Sequence, residues 1–328
     1  KRTCSSLQEN LAERHFEEEP YSCKTNREFL RKVSLSTNTL NMLGKHPAIP
    51  HASLGVIRLD YHYPQQPGDI DDPESFEYPV VYRVVPGLTF EMCMTGKLTP
   101  KVEAAFVDAI KYLDEQGVSV ITGDCGFMLW FQSLASQHSH LPIAMSPLCS
   151  VPSVTTALSN HGKIAIFTAR RESLEPMLDL IKDMCGIETH ESKFVLVGCE
   201  DVEGFDPIFV GGKLDIEKAT VGIVAKAMEV IRQHPIRGFV FECSQLPPFS
   251  DAVRAATHKP VWDAITNADF FIRAFVDNPR FGLNDWHAPW DGVKNRYVLG
   301  DCLSPSSKQQ LVSIRRGQTV TPSRFGGA

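Results

Sequence analysis

The stretch TPKVEAAFVDAIKYLDEQGVSVITGDCG, residues 99–126, sets one helix, one strand and one cysteine in immediate succession. Thr99 is a good helix cap, Pro100 suits a first turn, and Glu103 falls near the positive helix end. Ala105, Phe106, Ala109, Ile110 and Leu113 share one face, which predicts a helix running to Glu115. Gly117 stops it, and the apolar run 118–122 reads as a strand that leads straight into Gly123-Asp124-Cys125-Gly126. An inert thiol is ordinarily buried among apolar neighbours. This one is framed by glycine and aspartate at a strand end.

The pattern recurs. Residues 216–244, IEKATVGIVAKAMEVIRQHPIRGFVFECS, give a long amphipathic helix at Ile216–His234, a strand at Gly238–Phe241, and then Glu242-Cys243-Ser244. Further strands are expected at Leu54–Leu59, Pro79–Val85, Pro142–Met145, Lys163–Thr168, Lys193–Gly198 and Pro260–Asp263. Helices are expected at Leu129–Gln137, Ser173–Met184, Ser250–Thr257 and Ile265–Phe275. Strands alternating with such helices imply an α/β fold with parallel sheets. The two halves share an arrangement rather than residues, which suggests two pseudo-twofold-related lobes, each a parallel sheet flanked by helices. Ligands in open parallel sheets sit beyond the carboxyl ends of the strands. Lobes facing each other would therefore set Cys125 and Cys243 across one cleft.

The expected organisation is an N-terminal extension at 1–50, a first lobe at 51–160, a second lobe at 161–277, and a C-terminal extension at 278–328. This organisation leaves room for the chain to cross back between the lobes. The first extension is polar, with a short helix at Asn26–Val33, and the last contains Trp286 and Trp290.

At 328 residues, 43% hydrophobic and 22% charged, the chain has the composition of an ordinary globular protein. A net charge of -6 without a Lys/Arg stripe argues against nucleic-acid binding. No apolar targeting segment opens the chain and no apolar run reaches membrane-spanning length, so no membrane partner is expected. Nine cysteines at irregular spacing, with no CxxC pair, point to free thiols, a cytoplasmic setting and no metal site.

The segments LGVIRLDYHYPQQPGDIDDPESFEYPVVYRVVPG at 54–87, VSVITGDCGF at 118–127 and FVFECSQLPPF at 239–249 carry a family resemblance. Over about 54–277 the chain resembles the aspartate/glutamate/hydantoin racemase superfamily, which needs no pyridoxal phosphate, and within it a branch of Asp/Glu racemase-like proteins. The resemblance implies a cofactor-independent isomerase of amino-acid metabolism, with a small carboxylate or amino-acid substrate such as aspartate or glutamate. Cys125 and Cys243 would be catalytic, as thiol and thiolate on opposite faces of the reacting carbon. A homodimer is implied on the same ground. Both cysteines precede predicted helices, whose positive ends would lower the thiol pKa.

Carried over by position, the substrate-binding candidates are Arg58, Asp60, the backbone of Gly126 and Phe127, Thr168, Ser244 and Gln245. Two departures stand out. Gly126-Phe127 replaces the Asn-Thr-like pair of the standard enzymes, and Asp124 adjoins Cys125, where it is expected to hydrogen-bond away from the sulfur. Two cysteines also occur in maleate isomerase, so a maleate-type cis–trans isomerase remains an alternative. So do a hydantoin racemase and a non-catalytic ligand-binding or interaction member. Cys93, Cys149, Cys185 and Cys199 are read as inert thiols, and Gly68-Asp69 as turn chemistry.

Overall fold

A computed structural model describes residues 52–158, 162–186 and 193–275, with 304–306 and 309. The two extensions, with the helix expected at Asn26–Val33 and with Trp286 and Trp290, lie essentially outside the described residues.

Each lobe holds one four-stranded, wholly parallel sheet. The first is built from β1 (Leu54–Arg58), β2 (Val80–Val84), β3 (Val120–Gly123) and β4 (Ile143–Ala144), in the spatial order β2-β1-β3-β4. The second contains β5 (Lys163–Thr168), β6 (Phe194–Gly198), β7 (Ile236–Phe241) and β8 (Val261–Trp262), in the order β6-β5-β7-β8. The second order is the first advanced by one lobe, so the repeat of arrangement seen in the sequence is a repeat of topology.

The helices of the first lobe are α1 (Phe90–Thr95), α2 (Pro100–Glu115), α3 (Gln132–Ser136) and α4 (Val151–Ala157). Those of the second are α5 (Arg171–Leu174), α6 (Met177–Cys185), α7 (Ile216–Gln233), α8 (Ser250–Thr257) and α9 (Ala264–Ile272). The caps of α2 are as the sequence implies: Thr99 Oγ1 accepts the Val102 N–H, and Val102, Phe106, Ala109, Ile110 and Leu113 are buried. Asp215 caps α7 in the same way, accepting the Lys218 N–H.

Three local expectations change. The single helix expected at Ser173–Met184 is split into α5 and α6, because Pro176 cannot donate within a helix and instead stands at the head of α6. The helix expected from Leu129 is a 3-10 turn over Gly126–Phe131 followed by the short α3. Two helices, α1 and α4, had no clear sequence signal. The first is six residues long, and the second, VPSVTTA, is rich in β-branched residues that disfavour helix locally.

Packing explains why α4 is helical. Val151 and Val154 belong to one apolar cluster with Ile164, Ile166 and Val240 of the second sheet and with Phe106 and Ile110 of the first lobe. Its counterpart α9 returns the other way: Ala268 and Ile272 pack with Leu54, Val56 and Val120 of the first sheet, and Tyr78 donates to Asp269 at 2.7 Å. Each lobe thus lends the other a helix. The second sheet also has an aromatic core, in which the Phe167 ring lies 5.7 Å from Phe239 and 5.3 Å from Phe241. Phe167 is wholly buried. Phe167→Ala is expected to cost about 3–5 kcal/mol, read as a lowered midpoint in urea or guanidinium unfolding followed by circular dichroism.

Candidate active site

The strand ends decide where the chemistry sits. After β3, the Asp124 N–H bonds to the Ile57 carbonyl of β1 at 3.0 Å; after β7, the Glu242 N–H bonds to the Phe167 carbonyl of β5 at 2.8 Å. The same extra rung closes both sheets, and each delivers an acid–cysteine dipeptide past the last strand residue. The two meet in one cleft of about 560 Å³ including its open mouth, lined by Asp124, Cys125, Glu242 and Cys243 together with Gly126, Phe127, Ser244 and Gln245. The Ser244 hydroxyl donates to the Asp124 carbonyl, tying the two corners together.

Six of the nine candidates from the sequence, Cys125, Cys243, Gly126, Phe127, Ser244 and Gln245, therefore line the cleft. Arg58, Asp60 and Thr168 do not. Arg58 is held behind it in a two-pronged ion pair with Asp71, at 3.0 Å to each carboxylate oxygen, and reaches within 3.9 Å of Asp124. Asp60 is exposed and accepts the Gly87 N–H at 2.8 Å, which makes it a loop brace. Thr168 is buried at the end of β5, where its hydroxyl donates to Glu242 Oε2 at 2.7 Å.

The sequence missed the walls. Leu59, Tyr61, Tyr63, Phe90, Ala169, Ile208 and Phe209 complete the lining, so aromatic rings surround the thiols and carboxyls. The tilted rings of Tyr61 and Tyr63 lie 5.7 Å apart, and Phe90 meets Phe127 at 6.1 Å. The only signal for the tyrosines was the Tyr-His-Tyr run after β1, and Phe209 sits in a turn that no pattern marks. Asp69 is more than a turn residue: it is buried and accepts the Tyr63 hydroxyl at 2.8 and 2.9 Å, while Asp71 accepts it at 3.0 Å.

The two acids are treated alike. Asp124 Oδ2 accepts the Leu59 N–H at 3.0 Å and Glu242 Oε2 accepts from Thr168, yet Asp124 Oδ1 and Glu242 Oε1 are buried with no partner. Asp124 does bond away from the sulfur through one oxygen, as its position beside Cys125 suggested, but the other oxygen is left free. Burial pushes the Asp124 carboxyl well above the ordinary range, with Asp71 adding to it and the Leu59 N–H and Arg58 opposing. Burial pushes Glu242 up to about 7 against the single Thr168 hydrogen bond.

The expectation that helix ends lower the thiol pKa values is corrected. No α-helix begins at either sulfur; Cys125 is followed by a 3-10 turn and Cys243 by irregular chain up to Pro247. Both thiols are pushed up instead. For Cys125 the leading cause is a hydrogen bond with Cys93, then burial and the nearby Glu242 and Asp124. Cys93, read from the sequence as an inert thiol, thus touches the site. For Cys243 the causes are burial and Glu242, opposed by the Gln245 backbone N–H. Among the described residues no cluster of three His, Cys, Asp or Glu side chains could hold a metal ion, and no helix is long and apolar enough to cross a membrane.

No family model matches the chain. It is 58% identical over 267 residues to a protein named dimethylsulfoniopropionate lyase from Durusdinium sp. clade D, covering 81% of this chain and 89% of that one. This chain belongs to the dimethylsulfoniopropionate lyase family. It is also 50% identical over 275 residues to dimethylsulfoniopropionate lyase 7 of Emiliania huxleyi (strain CCMP1516), covering 82% of this chain and 81% of the relative. Among solved structures it is similar to unliganded arylmalonate decarboxylase, at 15% identity and a TM-score of 0.46, over 74% of this chain and all of that one. It is similar too to an aspartate racemase homologue from Pyrococcus horikoshii OT3, at 13% identity and a TM-score of 0.44, over 68% of this chain and 99% of that one.

The lyase relatives overturn the sequence-based expectation of an amino-acid racemase, an isomerase of amino-acid metabolism. The sequence relatives carry the lyase name. The physical reason is that paired thiols at strand ends signal proton transfer at carbon. They do not signal what becomes of the carbanion.

Gly126 is required by this packing. A Cβ there would clash with both the Glu242 carbonyl oxygen and Glu242 Oε1, and a backbone oxygen cannot swing aside as a side chain can. Gly126→Ala is expected to cost about 2 kcal/mol or more, seen as a drop in thermal midpoint; an unchanged midpoint would contradict the close approach.

Proposed function

We propose that this chain cleaves dimethylsulfoniopropionate to dimethyl sulfide and acrylate by β-elimination. The substrate is a zwitterion with a sulfonium cation at one end, a carboxylate at the other, and an acidic Cα–H beside the carboxylate. One observation carries the reading: a single cleft that brings two thiols, two free carboxyl oxygens and a wall of aromatic rings together. Aromatic faces attract soft cations. Tyr61, Tyr63, Phe90 and Phe209 form the wall for the sulfonium methyl groups, and the Cys243 thiolate supplies the negative charge in the same cleft.

Cys243 is the base. Its sulfur receives the Gln245 backbone N–H, which favours the thiolate, whereas the hydrogen bond between Cys125 and Cys93 keeps the Cys125 proton in place. The resting thiols are disfavoured as anions, and a bound sulfonium offsets this by placing a positive charge in the same cleft. The Cys243 thiolate takes the α-proton. The released electron pair forms the Cα–Cβ double bond, and the C–S bond breaks with its pair going to sulfur. The products are neutral dimethyl sulfide, acrylate, and one proton passed from Cys243 to solvent. Elimination uses one base, so the two cysteines are unequal, unlike in a two-base racemisation.

The test is headspace gas chromatography of dimethyl sulfide with acrylate followed by NMR, on protein of unchanged circular dichroism. Cys243→Ala is expected to lower kcat/KM by about 10³-fold, the loss of a positioned base. Cys125→Ala is expected to lower it by roughly tenfold, the loss of one hydrogen-bonding neighbour. Wild-type protein that releases no dimethyl sulfide would end the proposal, and a Cys243→Ala variant as active as wild type would end the assignment of the base.

A further inference from the structure

We propose that Glu242 is a further catalytic residue of this reaction: its carboxyl group, in the neutral form, donates a hydrogen bond from Oε1 to the substrate carboxylate. This rests on the lyase reading above. Three observations place the group. Glu242 is 1% exposed at the exit of β7, directly before the base Cys243, and lines the cleft. Its Oε2 is anchored by the Thr168 hydroxyl at 2.7 Å, while Oε1 is buried without a partner. The missing side chain of Gly126 makes the space that Oε1 occupies, so the first lobe is shaped around the carboxyl of the second.

The neighbourhood fixes the protonation state. Asp124 and Asp71 face the Arg58 guanidinium, at 3.9 and 3.0 Å, whereas among the described residues no Lys or Arg pairs with Glu242. Among the described residues its polar neighbours are the Thr168 hydroxyl and the Cys125, Cys243 and Cys199 thiols. A buried carboxyl without a cation favours its proton, and a substrate carboxylate brought against it favours that proton further. As the α-proton leaves for Cys243, negative charge builds on the substrate's carboxylate oxygens. A fixed neutral donor stabilises that charge more than it stabilises the ground state. Glu242 keeps its proton throughout and contributes no atom to the products.

The rival role is an ionised Glu242 holding the sulfonium, and glutamine separates the two. Glu242→Gln preserves shape and presents an N–H to the cleft when its amide oxygen accepts from Thr168, but it cannot be an anion. Rates of dimethyl sulfide release are to be compared from pH 5 to 9 for wild type, Glu242→Gln and Glu242→Ala. Wild-type kcat/KM is expected to rise with pH and then level off beyond about 7, where Glu242 ionises while the Cys243 thiolate fraction still grows. Glu242→Gln is expected to stay within about tenfold of wild type at pH 6 and to keep rising beyond pH 7, with no such levelling. Glu242→Ala is expected to lose at least about 100-fold, mainly in kcat.

A fold-only role is read out separately. The raised pKa means that wild-type stability is lost as pH rises from 4.5 through about 7, a loss that Glu242→Gln escapes. If glutamine changes only this stability profile and leaves the rate profile untouched, the catalytic role is overturned. It is overturned equally if Glu242→Gln is as inactive as Glu242→Ala. Wild-type protein that makes no dimethyl sulfide would instead overturn the reaction itself.

Discussion

Everything at the site depends on one repeated backbone hydrogen bond. In each lobe the residue just past a central strand donates its N–H to the neighbouring strand, Asp124 to Ile57 and Glu242 to Phe167. That rung holds the next residue, a cysteine, at the carboxyl edge of the sheet, where parallel α/β architectures expose chain to ligands. Because the sheets share one strand order, the two acid–cysteine corners occupy equivalent places and meet in one cleft. The helices exchanged between lobes, α4 and α9, fasten this pairing with apolar contacts on both sheets.

The cleft that results is costly in isolation. It buries two carboxyl oxygens without partners and two thiols pushed toward the neutral form. Unpartnered polar atoms of this kind destabilise a fold unless something else uses them. In the proposed reaction a zwitterionic substrate supplies the missing complement: a cation for the thiolate, and an anion for the protonated acids. The site's unfavourable resting electrostatics and its chemistry are then one property. Binding relieves the first and starts the second.

Much of this was legible before any coordinates. The capped helix at Pro100–Glu115, the strand to Gly123 and the pairing of Cys125 with Cys243 follow from periodicity, caps and repetition. What stayed hidden depended on contacts between distant residues. Arg58 read as a ligand because it ends a strand, but Asp71 captures it, and only the fold of the 60–79 loop decides that. Cys93 read as inert until α1 laid it against Cys125. Tyr63, Phe90 and Phe209 come from three separate segments and carry no shared pattern. The reaction type was misread for a chemical reason: removing a proton beside a carboxylate is common to racemisation and elimination, and the leaving group belongs to the substrate.

The central claim is that one thiol on one side of the cleft removes one α-hydrogen as the C–S bond breaks. Dimethylsulfoniopropionate carrying a single deuterium at Cα, prepared separately in each of the two mirror-related forms, tests this directly. Mass spectrometry of the acrylate should find deuterium almost wholly retained from one form and almost wholly lost from the other. Equal retention from both forms would contradict it, since two bases on opposite faces, or a base free in solution, would then be taking the proton.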